Sequence, residues 1–251
     1  RCAMKRIRPD QRYGLSPALF DELLAAWQQL QKDFAVAAPF VPVVGTHYGE
    51  PGAPKIMYIG KATEGWGTRP ASSLAEDRAS TKDFYDRLSA GKYRSMYWFF
   101  IRDLTAKLFD VTGNVCTADH GNENPMKWAL DRVIWSNLMK IGSVSSWPRK
   151  RLAKAQAPLM EKLLRYELET HRPDAIILTT NWYEWEFVEK VFGMKGREEI
   201  AEVGGWPILA IDADDICARL YWARHPQGWK DRWKAENEIA ADFKTFFSHD
   251  R

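Results

Sequence analysis

The chain reads as an α/β protein, a three-layer α/β/α sandwich around a central, mostly parallel four-stranded sheet. Two observations lead there. Short apolar runs have the length and continuous hydrophobicity of strands buried on both faces, and segments with apolar residues at helical spacing separate them. Strands that alternate with helices imply parallel pairing through right-handed crossovers.

Taken in order, Ser16-Pro17 is an N-cap followed by a residue suited to the first helical turn. Phe20, Leu23, Leu24, Trp27 and Leu30 then recur at helical spacing, predicting a helix to about Phe34. Lys55 to Ile59 is the first buried strand. Asp83 to Leu88 is helical, and Ser95 to Phe109 more strongly so, with Tyr97, Phe100, Ile101, Leu104 and Leu108 on one side. The extra aromatics Trp98 and Phe99 suggest burial on more than one face. Arg132 to Leu138 is the second strand. Leu152 to His171 is a long helix interrupted by Pro158, and Arg172-Pro173-Asp174 ends it before the strand Ala175 to Thr179. Asn181-Trp182 opens a helix to about Phe192. Pro207 to Ile211 and Ile216 to Trp222 are strand-like, and Trp229, Trp233, Ala240, Phe243 and Phe247 line a closing helix.

The 251 residues carry no linker, repeat or low-complexity tract, so a single domain over 1–251 is expected, with an elaborated insertion at about 68–130. Lys plus Arg exceeds Asp plus Glu by only 36 to 33, and the net charge of +3 does not by itself argue for nucleic acid. Local basic clusters are more suggestive, above all Arg224, Lys230 and Arg232 around a His-Pro. Three unpaired cysteines, Cys2, Cys116 and Cys217, argue against a disulfide framework or a zinc ribbon and for a reducing cytoplasm. Cys116 and His120 lack a second ligand pair, so no metal site is expected. No apolar run approaches the roughly 20 residues of a bilayer span, and no membrane partner is expected.

Three strand ends carry chemistry. The first strand enters Gly60-Lys61-Ala62-Thr63-Glu64-Gly65-Trp66-Gly67, the second ends in Ser136-Asn137-Leu138, and Leu220 to Ala223 leads into Arg224-His225-Pro226-Gln227-Gly228. Ligands of open α/β sheets bind outside the carboxyl ends of the strands, so one edge would gather all three. Asn137 has both donor and acceptor atoms, and His225 can donate a hydrogen bond. Backbone N–H groups around Ala62 to Gly65 suit a phosphate or a water.

These three segments resemble the motifs of the uracil-DNA glycosylase superfamily: a Gly-x-x-Pro loop after the first strand, an Asn after a middle strand and His-Pro after the last. The resemblance covers roughly Lys55 to Phe247. It implies a DNA glycosylase that hydrolyses the N-glycosidic bond of a flipped-out base, without cofactor, acting on DNA as a monomer. Its substrate pocket would include Gly60, Lys61, Ala62, Thr63, Gly65 and Trp66. Arg224, Pro226, Gln227, Lys230 and Arg232 would lie along DNA, and Trp229, four residues after His225, would fill the gap left by the base. The family's Pro is Thr63 here, and its water-orienting acid falls on Ala62 or Lys61, leaving Glu64 as the nearest replacement, with Asp212, Asp214 and Asp215 next. Ile141 stands where a cluster-binding branch has a cysteine, so no iron–sulfur cluster is expected. A modified base is expected rather than uracil, and a role in anti-phage defence follows from the resemblance alone. Two alternatives stay open: a catalytically inactive DNA-binding module, and an N-glycosidic hydrolase of free nucleotides or nucleosides.

Overall fold

The computed structural model describes residues 14–62, 70–71, 73–90, 95–113, 124–144, 150–180, 185–213, 217–227 and 229–249. Its helices are α1 (Pro17–Leu30), α2 (Leu74–Ser89), α3 (Met96–Val111), α4 (Pro125–Leu130), α5 (Lys150–His171), α6 (Trp185–Phe192) and α7 (Arg232–His249). Its strands are β1 (Val36–Pro39), β2 (Val43–Val44), β3 (Ile56–Gly60), β4 (Val133–Asn137), β5 (Ile141–Ser143), β6 (Ala175–Thr179), β7 (Met194–Val203), β8 (Trp206–Ala213) and β9 (Ala218–Ala223).

The main sheet has seven strands in the order β2-β4-β3-β6-β9-β8-β7, which corrects the expected four. Its centre, β4-β3-β6-β9, is parallel, while β2, β8 and β7 add antiparallel edges. Of the three added strands, β8 was legible in the sequence at Pro207 to Ile211, whereas β2 and β7 escaped for physical reasons. β2 is only two residues long. β7 reads Met-Lys-Gly-Arg-Glu-Glu-Ile-Ala-Glu-Val, too charged for a buried run, and is held by its hairpin with β8. Gly204 and Gly205, with φ of +61° and +76°, form the two-residue turn that such a hairpin needs.

Alternation along the central strands sorts the core into two layers. Met57, Ile59, Ile134, Ile176, Leu178, Leu220 and Trp222 pack with α1, α5 and α6. Ile56, Tyr58, Val133, Trp135, Ala175, Ile177 and Tyr221 pack with α3, α4 and α7. Helices therefore cover both faces, which is why the central strands are apolar without interruption.

Side-chain caps mark the starts of α1 and α2. The Ser16 hydroxyl accepts from the Leu19 N–H at 3.3 Å, and Ser73 caps α2 by accepting from Glu76 at 3.2 Å. α1 stops at Leu30, short of Phe34, and α5 continues through Pro158 instead of being interrupted by it. A proline removes one N–H donor, but the stripe Leu152, Met160, Leu163, Leu164 and Leu168 packs on both sides of it and holds the helix together. Trp233 is 60% exposed and leaves the apolar stripe of α7, whose buried face holds Ile239, Ala240, Phe243 and Phe247. Among the described residues, no helix is long and apolar enough to cross a membrane.

Candidate functional site at the carboxyl edge of the parallel strands

The register of the parallel strands aligns their last residues. Gly60 pairs with Asn137 on one side and Thr179 on the other, and Thr179 pairs with Ala223, one residue before Arg224-His225. The fold thus brings Gly60, Asn137 and His225 to one edge, as their places at three strand ends suggested. Lys61 and Ala62 follow Gly60 and are half-buried. Thr63, Glu64, Gly65 and Trp66 lie outside the described residues.

Gly60 is required here by space. A Cβ on it would lie 2.6 Å from Asn137 Oδ1, so only glycine lets the Asn side chain lie across the strand end. Asn137 is 2% exposed, and its Nδ2 is buried with no hydrogen-bond partner. A buried polar atom without a partner is unusual in a protein interior.

Beneath Asn137 sits a buried charged device. Lys140 and Glu167 are both fully buried and 2.7 Å apart. The Lys140 ammonium donates to Ser136 Oγ at 2.6 Å and to the Asn137 carbonyl at 2.7 Å, and Ser136 Oγ donates to Glu167 Oε2 at 2.6 Å. Burial pulls the Lys140 pKa down and pushes that of Glu167 up, each opposed by the other's charge. The Asn137 backbone is thus held from below by a group that the sequence showed only as one more lysine.

His225 is half-buried, and burial lowers its pKa to about 4, which keeps the imidazole neutral near pH 7. The Gln227 backbone N–H donates to Nδ1 at 3.3 Å. An accepting Nδ1 places the proton of the neutral ring on Nε2, which makes Nε2 the donor. Tyr97 of α3 stacks on the ring, with centroids 5.1 Å apart and planes inclined by 16°. No strand-end motif could have revealed this neighbour, because α3 reaches it only through tertiary packing.

The basic surroundings divide. Arg224 is exposed and stacks over exposed Trp206, 4.6 Å from the ring centroid. Trp206 opens β8 just after the Gly204-Gly205 turn. β8 runs antiparallel to β9 with Leu209 opposite Trp222, so the hairpin tip projects past Ala223 toward the site. Lys230 and Gln227 are exposed, and Pro226 is buried. Arg232 does not present a free cation to a phosphate: its guanidinium contacts Asp103 at 2.5 Å and Glu236 at 2.7 Å. Trp229 is 7% exposed and lies edge-on to Phe100, a core position that corrects its expected place as a wedge. Asp212 is held by Arg219 at 2.6 Å, while Asp214, Asp215, Cys116 and His120 lie outside the described residues. Among the described residues, no group of three His, Cys, Asp or Glu could hold a metal ion.

No family model and no curated protein sequence matches the chain.

Proposed function

We propose that the chain is a DNA glycosylase that hydrolyses the N-glycosidic bond of a base flipped out of DNA, with a modified base as substrate. One observation carries the reading: Asn137, with an unpartnered amide nitrogen, and a neutral His225 share one sheet edge with Gly60. Bond cleavage leaves negative charge on the departing base, and a preorganised neutral donor such as His225 Nε2–H strengthens its interaction as that charge grows. Asn137 reads the base before and during cleavage. Exposed Arg224, Lys230 and Trp206 supply charge and a stacking surface for the flanking strand. Glu64 is the residue assigned to orient water, and Glu64→Gln is expected to lower turnover by about 10² with DNA affinity kept.

The test is incubation with oligonucleotides that carry uracil or one of a panel of modified bases, with EDTA present, followed by alkaline cleavage of abasic sites. Strand breaks at a modified base support the reading. Binding without breaks favours the inactive DNA-binding module, release only from free nucleotides favours the nucleoside hydrolase, and robust excision of uracil above every modified base refutes the substrate assignment.

A further inference from the structure

One wall of the site comes from a residue that no strand end supplies. Tyr97 lies in the first turn of α3, 8% exposed, with its ring on His225 and its phenol oxygen buried without a hydrogen bond. Thr179, whose hydroxyl donates to the Ile59 carbonyl at 3.4 Å, and Trp135 stand beside that oxygen, neither within hydrogen-bond geometry of it. A Cβ on Gly60 would lie 2.6 Å from Asn137 Oδ1 and 3.5 Å from the Tyr97 oxygen, so the two side chains converge over one α-carbon. Each brings a buried polar atom with no partner in the protein.

We propose that Tyr97 is a specificity-determining residue, forming with Asn137 a polar edge that selects a planar heterocyclic base with two neighbouring polar atoms. One of those atoms accepts from Asn137 Nδ2–H. The other meets the Tyr97 hydroxyl, which donates or accepts. A base with an apolar edge leaves both groups buried and unpaired, and sites built to hydrogen-bond a substrate reject such analogues strongly. The inference rests on the glycosylase reading for its setting in DNA, but the recognition is that of the base itself.

The test titrates deoxyuridine, 5-hydroxymethyldeoxyuridine, deoxyinosine and the apolar difluorotolyl deoxynucleoside into the full chain, followed calorimetrically. A polar-edged nucleoside is expected to bind and the apolar isostere to be rejected. Tyr97→Phe keeps the ring on His225 and is expected to weaken the best binding by about tenfold. Its melting temperature should change little, because the phenol makes no hydrogen bond of normal geometry in the free protein. Unchanged affinities in Tyr97→Phe, a fall in melting temperature that accompanies the loss of binding, or no binding of any nucleoside by the wild-type chain each overturns the proposal. The two readings fail separately. Selective, Tyr97-dependent binding without base release from DNA defeats the glycosylase and leaves the subsite, whereas release with the same base preference in Tyr97→Phe defeats the subsite and leaves the glycosylase.

Discussion

Tyr97 and His225 lie face to face, their ring centroids 5.1 Å apart, and this contact covers one side of an imidazole that burial keeps neutral. A pKa lowered from 6.5 to about 4 means that the neutral donor persists until the pH falls to about 4. His225-dependent excision is therefore expected to be flat from about pH 5 upward and to fall as the ring protonates below that. Tyr97→Ala opens the ring to water and should move its titration up toward 6.5, read from the imidazole proton shifts by NMR. A wild-type His225 that already titrates near 6.5 would refute the burial argument.

Gly60 and Asn137 form a steric pair. Gly60→Ala places a methyl group 2.6 Å from Asn137 Oδ1 and should cost about 1–3 kcal/mol of stability as the amide is pushed aside. In an Asn137→Ala background the same substitution should cost clearly less, since the obstacle is gone. Equal costs in both backgrounds, measured by urea unfolding, would show that the close approach is not what requires glycine.

The Lys140–Glu167 pair predicts an asymmetry. Lys140→Met leaves a buried carboxylate without its cation and should lose about 3–5 kcal/mol, while Lys140→Met combined with Glu167→Leu should recover much of that loss. A double variant no more stable than the single one would mean that the Ser136 and Asn137 contacts, rather than charge compensation, set the cost.

His171 is fully buried with both ring nitrogens unpartnered, and burial lowers its pKa from 6.5 to about 4. The unfolded chain takes up the proton first as pH falls. The stability contributed by the neutral ring is thus complete above about 6.5 and drains away between about 6.5 and 4, by up to roughly 3 kcal/mol. His171→Leu should reduce the fall in unfolding free energy across that window by about half, because His225, whose pKa is lowered over the same range, still contributes. The same pH dependence in wild type and variant would place its origin elsewhere.

The exposed pair Trp206 and Arg224 predicts a division between binding and folding. Trp206→Ala should weaken single-stranded DNA binding by about 1–3 kcal/mol, and Arg224→Ala should reduce the salt slope of duplex binding by about one counterion, both with little change in melting. Trp229→Ala should instead lower stability by about 3–5 kcal/mol, because it empties a core position against Phe100. A Trp229→Ala chain that is as stable as wild type but defective in DNA binding would restore the wedge.

What the residues determined alone is the parallel centre of the sheet and the strand ends at its edge. Apolar runs at Ile56–Gly60, Val133–Asn137, Ala175–Thr179 and Ala218–Ala223 admit little other than strands buried on both faces, and Gly60, Asn137 and His225 stand at or just beyond the ends of three of them. Local chemistry also placed the Ser16 cap and the starts of α1 and α3. Tertiary structure alone decided whatever depends on contact between segments distant in sequence. The charged strand β7 exists because its backbone pairs with β8, which no pattern of side chains announces. Trp229 is buried and Trp206 exposed because burial is decided by what packs against a residue: Phe100 covers one, while the other stands exposed at a hairpin tip under Arg224. Tyr97 meets His225, and Lys140 meets Glu167, across gaps of sequence that only the packing of helices on the sheet closes.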